Sequence, residues 1–502
     1  MSISEYLLDP WKKSHKAYSD SALGIRPAPE FATSEVVVSS LYRVVGFEHF
    51  NENMVSSSGR ELEKKYQGSS KAPVNSIEND TWQTILHGVL ASPKQSNQSS
   101  RRFLQMCPLV PDANLYSGSA RLSGNTWNPG ALLQRVIQMG SPSAEDAELL
   151  WKSVFDALSV DSKDDAWARW LQEEFERRNL NGQKWAYAPL DAEKNALSPD
   201  DKKILDFPAQ QFVIDLKAVI SAKSAMTRKQ WISLLESVVR IGAVSHVLWL
   251  ASVNARIWDY ALAILNGQAA PNELAETRSA LFSSKSHYLS YGNVVMPTVR
   301  NITSAYLSGR LGCNVVLWHL EQLGVSLSPI NSSEEVHNFL SIVAKNRDAL
   351  ISTGAITDFQ QLVDEHARTL ACKKGIGSNL MEFCRYSLGK RQTAETTLRS
   401  YDQSYFFNKR SPAKSAPWVV SLGPVALLAV VFCCLREFKG PRSVKHLSHH
   451  LSLYGISVTV DDIGTSELGR ELRMLGLILD SPDAESGILL VPPFNLSGTR
   501  SN

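Results

Sequence analysis

The stretch "MTRKQWISLLESVVRIGAVSHVLWLASVNARIWDYALAIL", residues 226–265, has the pattern of a long helix. Thr227 suits the N-cap position, and Trp231, Leu235 and Val238 follow it at the three- and four-residue spacing of one helix face. The next segment, "NGQAAPNE", contains the residues that end helices and form turns. The long helix and the further helical patterns at 300–324, 333–350 and 357–372 predict a mainly α-helical body.

Composition gives a class of protein and a compartment, but no ligand. The 502 residues suggest two to four domains, and 43% hydrophobic with 20% charged residues is globular composition. A net charge of +2 gives no global argument for nucleic acid or membrane binding. The six cysteines form no CxxC pair and indicate buried thiols, and the first 13 residues lack the features of a signal peptide. We therefore expect a cytoplasmic protein.

Changes in composition divide the chain into four regions. They are a mixed, loop-rich region at 1–140, an acidic amphipathic helix pair at 141–197, a helical domain at 198–417 that ends in a basic aromatic segment, and a C-terminal domain at 418–496. Residues 143–179 hold ten acidic and five basic side chains. This surplus fits either a docking surface for a basic partner or, as we favour, a solvated face over a tryptophan-rich core.

The apolar run "WVVSLGPVALLAVVFCCL", residues 418–435, looks at first like a membrane anchor. Pro424 suits the first turn of a helix, which then runs to Phe438 before "KGPR" ends it. Fifteen residues at about 1.5 Å each span roughly 22 Å, less than the ~30 Å hydrocarbon core of a bilayer. We expect a core helix and no membrane association.

Two further helical segments follow, at 443–455 and 465–477, and then "LILD" and "ILLVPPF" predict a β-hairpin. Three helices closed by a hairpin resemble a winged-helix domain over about residues 420–496. The resemblance implies that 465–477 is the recognition helix, with Arg470 and Arg473 pointing outward, and that "SPDAESG" is the wing. Because residues 436–494 carry a net charge of −2, protein interaction is at least as well supported for this domain as DNA binding.

A basic segment at 366–417 is the main candidate for nucleic-acid binding. It holds ten basic and three acidic residues, and aromatic rings lie between the cations. Cations that neutralise phosphates beside rings that stack on bases are typical of sequence-independent binding. The candidate residues are Lys373, Lys374, Arg385, Lys390, Arg391, Arg399, Tyr405, Phe406, Lys409 and Arg410. The alternative is a solvated basic face over core aromatics, paired with the acidic helices.

Enzymatic patterns are weak. Asp200, Asp215 and Lys217 resemble the two acids and the lysine of a metal-dependent nuclease, in which the second acid and the lysine alternate along a strand. The apolar spacing around Asp215 instead favours a helix that begins with Asp206 as N-cap and Pro208 in its first turn. The histidines of "HLSHH" fit a helix face better than a metal site. We predict no cofactor and favour a protein without catalytic activity.

A large helical body with a winged-helix tail resembles the uncharacterised accessory subunits of bacterial multi-gene anti-phage defence systems. The resemblance implies an accessory subunit that binds nucleic acid non-specifically through the basic segment and binds other protein subunits, such as a helicase or an ATPase, through the winged helix. A pure scaffold, whose basic and acidic segments pair with each other, is the alternative.

Overall fold

The computed structural model describes residues 2–25, 34–47, 76–92, 106–117, 128–179, 182–190, 197–282, 288–391, 401–413, 415–436, 442–460, 463, 466–479 and 487–494. The prediction of a mainly α-helical protein is confirmed. In chain order the helices are α1 Ile3–Leu8, α2 Lys16–Ser19, α3 Ser34–Gly46, α4 Asn79–Ile85, α5 Pro129–Gly140, α6 Ala144–Leu158, α7 Ala166–Arg177, α8 Pro199–Ile204, α9 Pro208–Ser221, α10 Arg228–Leu265, α11 Leu274–Phe282, α12 Met296–Gln322, α13 Ser333–Lys345, α14 Arg347–Ser352, α15 Ala355–Glu365, α16 Ala367–Leu370, α17 Gly375–Leu388, α18 Pro424–Arg436, α19 Val444–Leu453 and α20 Glu467–Met474.

The strands are short and pair two at a time. They are β1 Leu289–Ser290, β2 Phe407–Lys409, β3 Trp418–Val420, β4 Ile456–Ser457, β5 Ile478–Leu479 and β6 Leu489–Leu490. The antiparallel pairs are β2 with β3 and β5 with β6, whereas β1 pairs with β4 in parallel. The predicted C-terminal hairpin is therefore confirmed, although most of the predicted wing, at 480–486, lies outside the described residues.

The helix α10 lies at the centre of the fold. Thr227 caps its start, as predicted, because its backbone N–H donates to the Gln230 side chain at 3.0 Å in a capping box. The helix ends at Leu265, where Gly267 adopts a positive φ of 97°. Helices α9, α12 and α18 pack around it, and most of its residues are buried.

Helices α10 and α12 pack closely against each other. A Cβ atom placed on Gly312 of α12 would lie 2.2 Å from the Trp258 ring of α10, so no larger residue fits there. Among the described residues, α10 is also the one helix long and apolar enough to cross a membrane, and its apolar window is 100% buried inside the protein. That position is typical of the core helix of a soluble protein.

The apolar run at 418–435 forms β3 and the 13-residue helix α18. As predicted, α18 is a core helix, and it packs on α9 and α10 of the body as well as on α19. The parallel pairing of β1 with β4 makes a second connection between the body and the C-terminal segment. A continuous hydrophobic core reaches from Ile3 to Leu490, and the domain boundaries at 140, 197 and 417 stay predictions.

Candidate nucleic-acid interface

Four cations cluster around the turn that precedes α17. Arg368, Lys373 and Lys374 are all exposed, and the Lys373 backbone N–H donates to the carbonyl oxygen of Arg368 at 2.9 Å. The Cys372 thiol lies 3.9 Å from the carbonyl oxygen of Arg300, an exposed residue near the start of α12, and the Arg300 charge acts on this thiol, which brings a fourth cation to the same place. We call Arg300, Arg368, Lys373 and Lys374 the basic surface.

The backbone of this turn is unusual. Cys372 has a positive φ of 58°, and among the described residues it is the one non-glycine residue that does. Gly375, the first residue of α17, has the same φ of 58°. These two left-handed residues bracket Lys373 and Lys374, and Lys374 between them has an extended backbone.

The basic surface carries charge that the described residues do not neutralise. In the part of the chain that the structure describes, no carboxylate lies within ion-pair distance of any of its four side chains. The neighbouring His366 accepts a hydrogen bond on Nδ1 from the Trp11 indole N–H at 3.2 Å. Burial and the Lys374 charge lower the pKa of His366, whereas Glu365 and Asp9 act in the opposite direction. A neutral imidazole therefore borders the four cations.

A second group of cations lies at the other end of α17, about 20 Å away for a 14-residue helix. Here the charges lie over aromatic rings, with Lys390 5.1 Å from the centre of the Tyr405 ring and Lys409 5.7 Å from the centre of the Trp418 ring. Arg385 lies 4.4 Å from the centre of the Tyr386 ring and 3.5 Å from a Glu382 oxygen. Arg410 is exposed and donates to the carbonyl oxygen of Gly292 at 3.3 Å. These cations are accessible, but partly engaged.

Three of the predicted binding residues are buried. Tyr405 and Phe406 are 7% and 0% exposed, so their rings cannot stack on bases as predicted, because they pack in the core. Arg391 is 6% exposed, and burial lowers the pKa of its guanidinium. Its backbone N–H donates to Asp402, whose carboxylate also pairs with Arg240 of α10 at 3.0 Å. Arg399 lies outside the described residues.

The helix α20 carries both signs of charge. Arg470 and Arg473 are exposed, as predicted, but Arg470 lies 3.5 Å from Glu467 of the same helix. Burial and Glu467 raise the pKa of Glu471, whereas Arg470 and Lys390 lower it. The acidic side of α20 therefore faces the basic segment, which does not suit a helix that enters a DNA groove.

The structure confirms the predicted helices α6 and α7, and five of the ten acidic side chains between residues 143 and 179 are exposed: Glu145, Asp156, Asp161, Glu173 and Glu176. Asp164 is buried and pairs with Arg228 at 3.0 Å and with Lys223 at 3.0 Å. Glu174 is buried against Arg178. Two of the acidic side chains are thus paired within the fold, with Lys223, Arg228 and Arg178, and none of these three cations belongs to the basic segment.

The predicted helix around Asp215 is confirmed, and the strand arrangement that the nuclease hypothesis requires is not present among the described residues. Asp215 lies on the helix α9 and not on a strand, so it and Lys217 do not alternate across a sheet. The N-cap of this helix is Phe207, one residue after the predicted Asp206. The buried Asp215 carboxylate lies 2.9 Å from His450 Nε2 and accepts a hydrogen bond from the Tyr454 hydroxyl at 2.8 Å.

Asp200 lies apart from this cluster, on α8, where it is 81% exposed beside Lys203. Over the described ranges, no group of three or more His, Cys, Asp or Glu side chains is placed to hold a metal ion.

Sequence reasoning missed Arg300, which lies 68 positions before Arg368 and has no cationic neighbours in sequence. Only the packing of α12 against α16 and α17 brings it to the basic surface. No family model, no curated protein and no solved structure matches this chain. The function proposed below therefore rests on the surfaces of the molecule itself.

Proposed function

We propose that this protein is a non-enzymatic, cytoplasmic accessory subunit of a multi-protein bacterial system, of the anti-phage defence type, that contacts nucleic acid through the basic surface. The observation that carries the proposal is the cluster of Arg300, Arg368, Lys373 and Lys374, which are exposed without carboxylate partners in the described structure. Such cations release counterions when they meet phosphates, and this favours binding to any sequence.

The second part of the proposal concerns residues 420–496, which we assign to a winged-helix module that binds partner proteins. In support, three helices precede the β5–β6 hairpin, and Ser443 adds an antiparallel bridge to Leu489. Met474 and Leu479 are 71% and 63% exposed at the end of α20 and on β5. Exposed apolar side chains on a module with a net negative charge suit a protein partner, such as a helicase or an ATPase subunit.

Charge reversal tests the nucleic-acid contact. The triple variant Arg368→Glu, Lys373→Glu and Lys374→Glu should bind a fluorescent single-stranded oligonucleotide about tenfold more weakly or worse at low salt. The matched control is Lys163→Glu, Arg169→Glu and Lys184→Glu, which reverses one arginine and two lysines that are exposed elsewhere. Both variants change the net charge by the same amount, so a global charge effect would weaken both equally.

Fluorescence anisotropy at several salt concentrations gives the result. The proposal requires that the first variant loses binding while the control keeps it. If the two variants bind alike, or if neither differs from the wild-type protein, the basic surface is not the contact.

A further inference from the structure

A cavity of about 570 Å³ lies between the start of α10, the helix α18 and the segments that hold Glu35 and Cys107. Its volume is within the range of pockets that enclose small molecules. It is separate from the basic surface, none of whose residues line it. The proposed function does not use this cavity.

The two sides of the cavity differ in chemistry. Val425 and Leu428 of α18, together with Met226 and Phe494, give one side an apolar lining. Such a lining takes up a hydrocarbon or aromatic group, because burial removes that group from water. An occupant should therefore have a substantial apolar part.

The other side is polar and hydrogen-bonded. The Cys107 sulfur lies 3.0 Å from the Tyr401 hydroxyl and 3.8 Å from a Glu35 carboxylate oxygen. Glu35 and Glu236 both line the cavity and are only 5% and 4% exposed. Side chains already held by such contacts keep their positions when a ligand arrives, which limits the entropy lost on binding.

Charge on this side favours a cation. Burial, the Cys107 thiol and the Glu35 carboxylate raise the pKa of Tyr401 far above its usual range, and Glu236 adds to the effect. Arg240 offsets Glu236 at 3.1 Å, and Arg391 lies near enough to Glu35 to interact with it. Lys229 also lines the cavity, with its ammonium 5.9 Å from the centre of the Tyr401 ring, and the three charged lining side chains, Glu35, Lys229 and Glu236, together carry a net charge of −1.

We propose that the cavity binds a small amphipathic amine. Its ammonium group lies beside Glu35 and the Tyr401 ring, and its apolar group lies against Val425, Leu428 and Phe494. A ligand with a carboxylate in place of the ammonium group would be repelled by the Glu35 and Glu236 carboxylates. Binding is non-covalent and leaves Cys107 as a thiol.

Three probes of similar shape test the charge preference by isothermal titration calorimetry: 2-phenylethylamine, 2-phenylethanol and phenylacetate. The amine should bind most tightly, the alcohol more weakly and the acid least. Glu35→Gln should weaken the amine about tenfold, the effect of losing one charge-assisted hydrogen bond, and leave the alcohol almost unchanged.

Leu428→Trp provides a second variant, since it fills the cavity from the apolar side and does not disturb the polar contacts. It should abolish binding of the amine, whereas Ile214→Trp, at an exposed apolar position outside the cavity, should not. The amine should also protect Cys107 from alkylation by iodoacetamide, with the fully buried Cys384 as an internal control for unfolding.

Three results would each overturn the proposal. One is no heat from any probe at millimolar concentration, and another is equal affinity for the three probes. The third is amine binding that survives Leu428→Trp and does not protect Cys107.

Discussion

Acidification should destabilise this protein through His246, which lies in the middle of α10 and is 0% exposed. Neither of its ring nitrogens has a hydrogen-bond partner among the described residues. Burial and the nearby Arg135 charge lower the pKa of this imidazole to about 3. The folded protein therefore keeps His246 neutral at pH values where the unfolded chain takes up a proton.

The size of the effect follows from linkage. The folded pKa of about 3 lies below the unfolded value of about 6.5, so the unfolded state binds more protons and stability falls as the pH drops. Between about pH 7.5 and pH 5 this single group should lower the free energy of unfolding by roughly 2 kcal/mol. The loss continues at about 1.4 kcal/mol per pH unit until the pH approaches the folded pKa.

Urea unfolding followed by tryptophan fluorescence measures the effect, in the wild-type protein and in His246→Leu at both pH values. The variant should lose less stability on acidification, by roughly 2 kcal/mol. His449→Leu, at an exposed position, serves as the control and should follow the wild type. Equal pH dependence in the wild type and His246→Leu would refute the reasoning.

Three further changes test the packing and the other buried charges. Asp215→Ala should lower the free energy of unfolding by about 3–5 kcal/mol, since it removes the buried carboxylate that contacts His450 Nε2 and the Tyr454 hydroxyl; a thermal or urea denaturation showing less than about 1 kcal/mol would contradict that pairing. Gly312→Ala should destabilise by about 1–3 kcal/mol, because the new Cβ meets the Trp258 ring; a more stable variant in the same assay would show that α10 and α12 can separate freely. Burial raises the pKa of Asp112 to about 6, so the folded state holds its proton longer than the unfolded state and stability falls as the pH rises from about 4 to 6. Asp112→Asn should lack this fall in urea unfolding across that range, and an unchanged slope would count against the raised pKa.

The helices were predictable where local signals agree with each other. A capping threonine, apolar residues at helical spacing and a glycine after the last turn placed α10 within a residue of its observed ends. The C-terminal hairpin was equally clear, because two apolar runs flank a loop with turn residues. The short length of the apolar run before Arg436 also distinguished a core helix from a membrane span.

The burial of aromatic rings in the basic segment was not predictable. Tyr405 and Phe406 follow one another in sequence among cations, a pattern that fits a binding surface as well as a core. Their burial results from the chain on both sides being held against the body, where Asp402 pairs with Arg240 of α10. That contact joins positions 162 residues apart, and no local spacing encodes it.

Neither the basic surface nor the cavity could be predicted in full from local sequence patterns. Arg300 comes to Lys373 through helix packing, and Cys107 comes to Tyr401 across 294 positions. Charge counting included Lys373 and Lys374, which stand together in sequence, but not Arg300, which lies outside the basic segment. It gave no sign of the cavity, whose polar residues come from separate segments of the chain, around Glu35, Cys107, Lys229 and Tyr401.

The salt dependence of nucleic-acid binding tests the central claim most directly. The slope of log K against log salt concentration counts the phosphates that the protein neutralises, at about 0.7 to 0.9 for each contact. Removing Arg368, Lys373 and Lys374 as charges, by substitution with glutamine, should reduce the magnitude of the slope by about 2 to 3. An unchanged slope, or wild-type binding that does not depend on salt at all, would contradict the claim that the basic surface holds the nucleic acid.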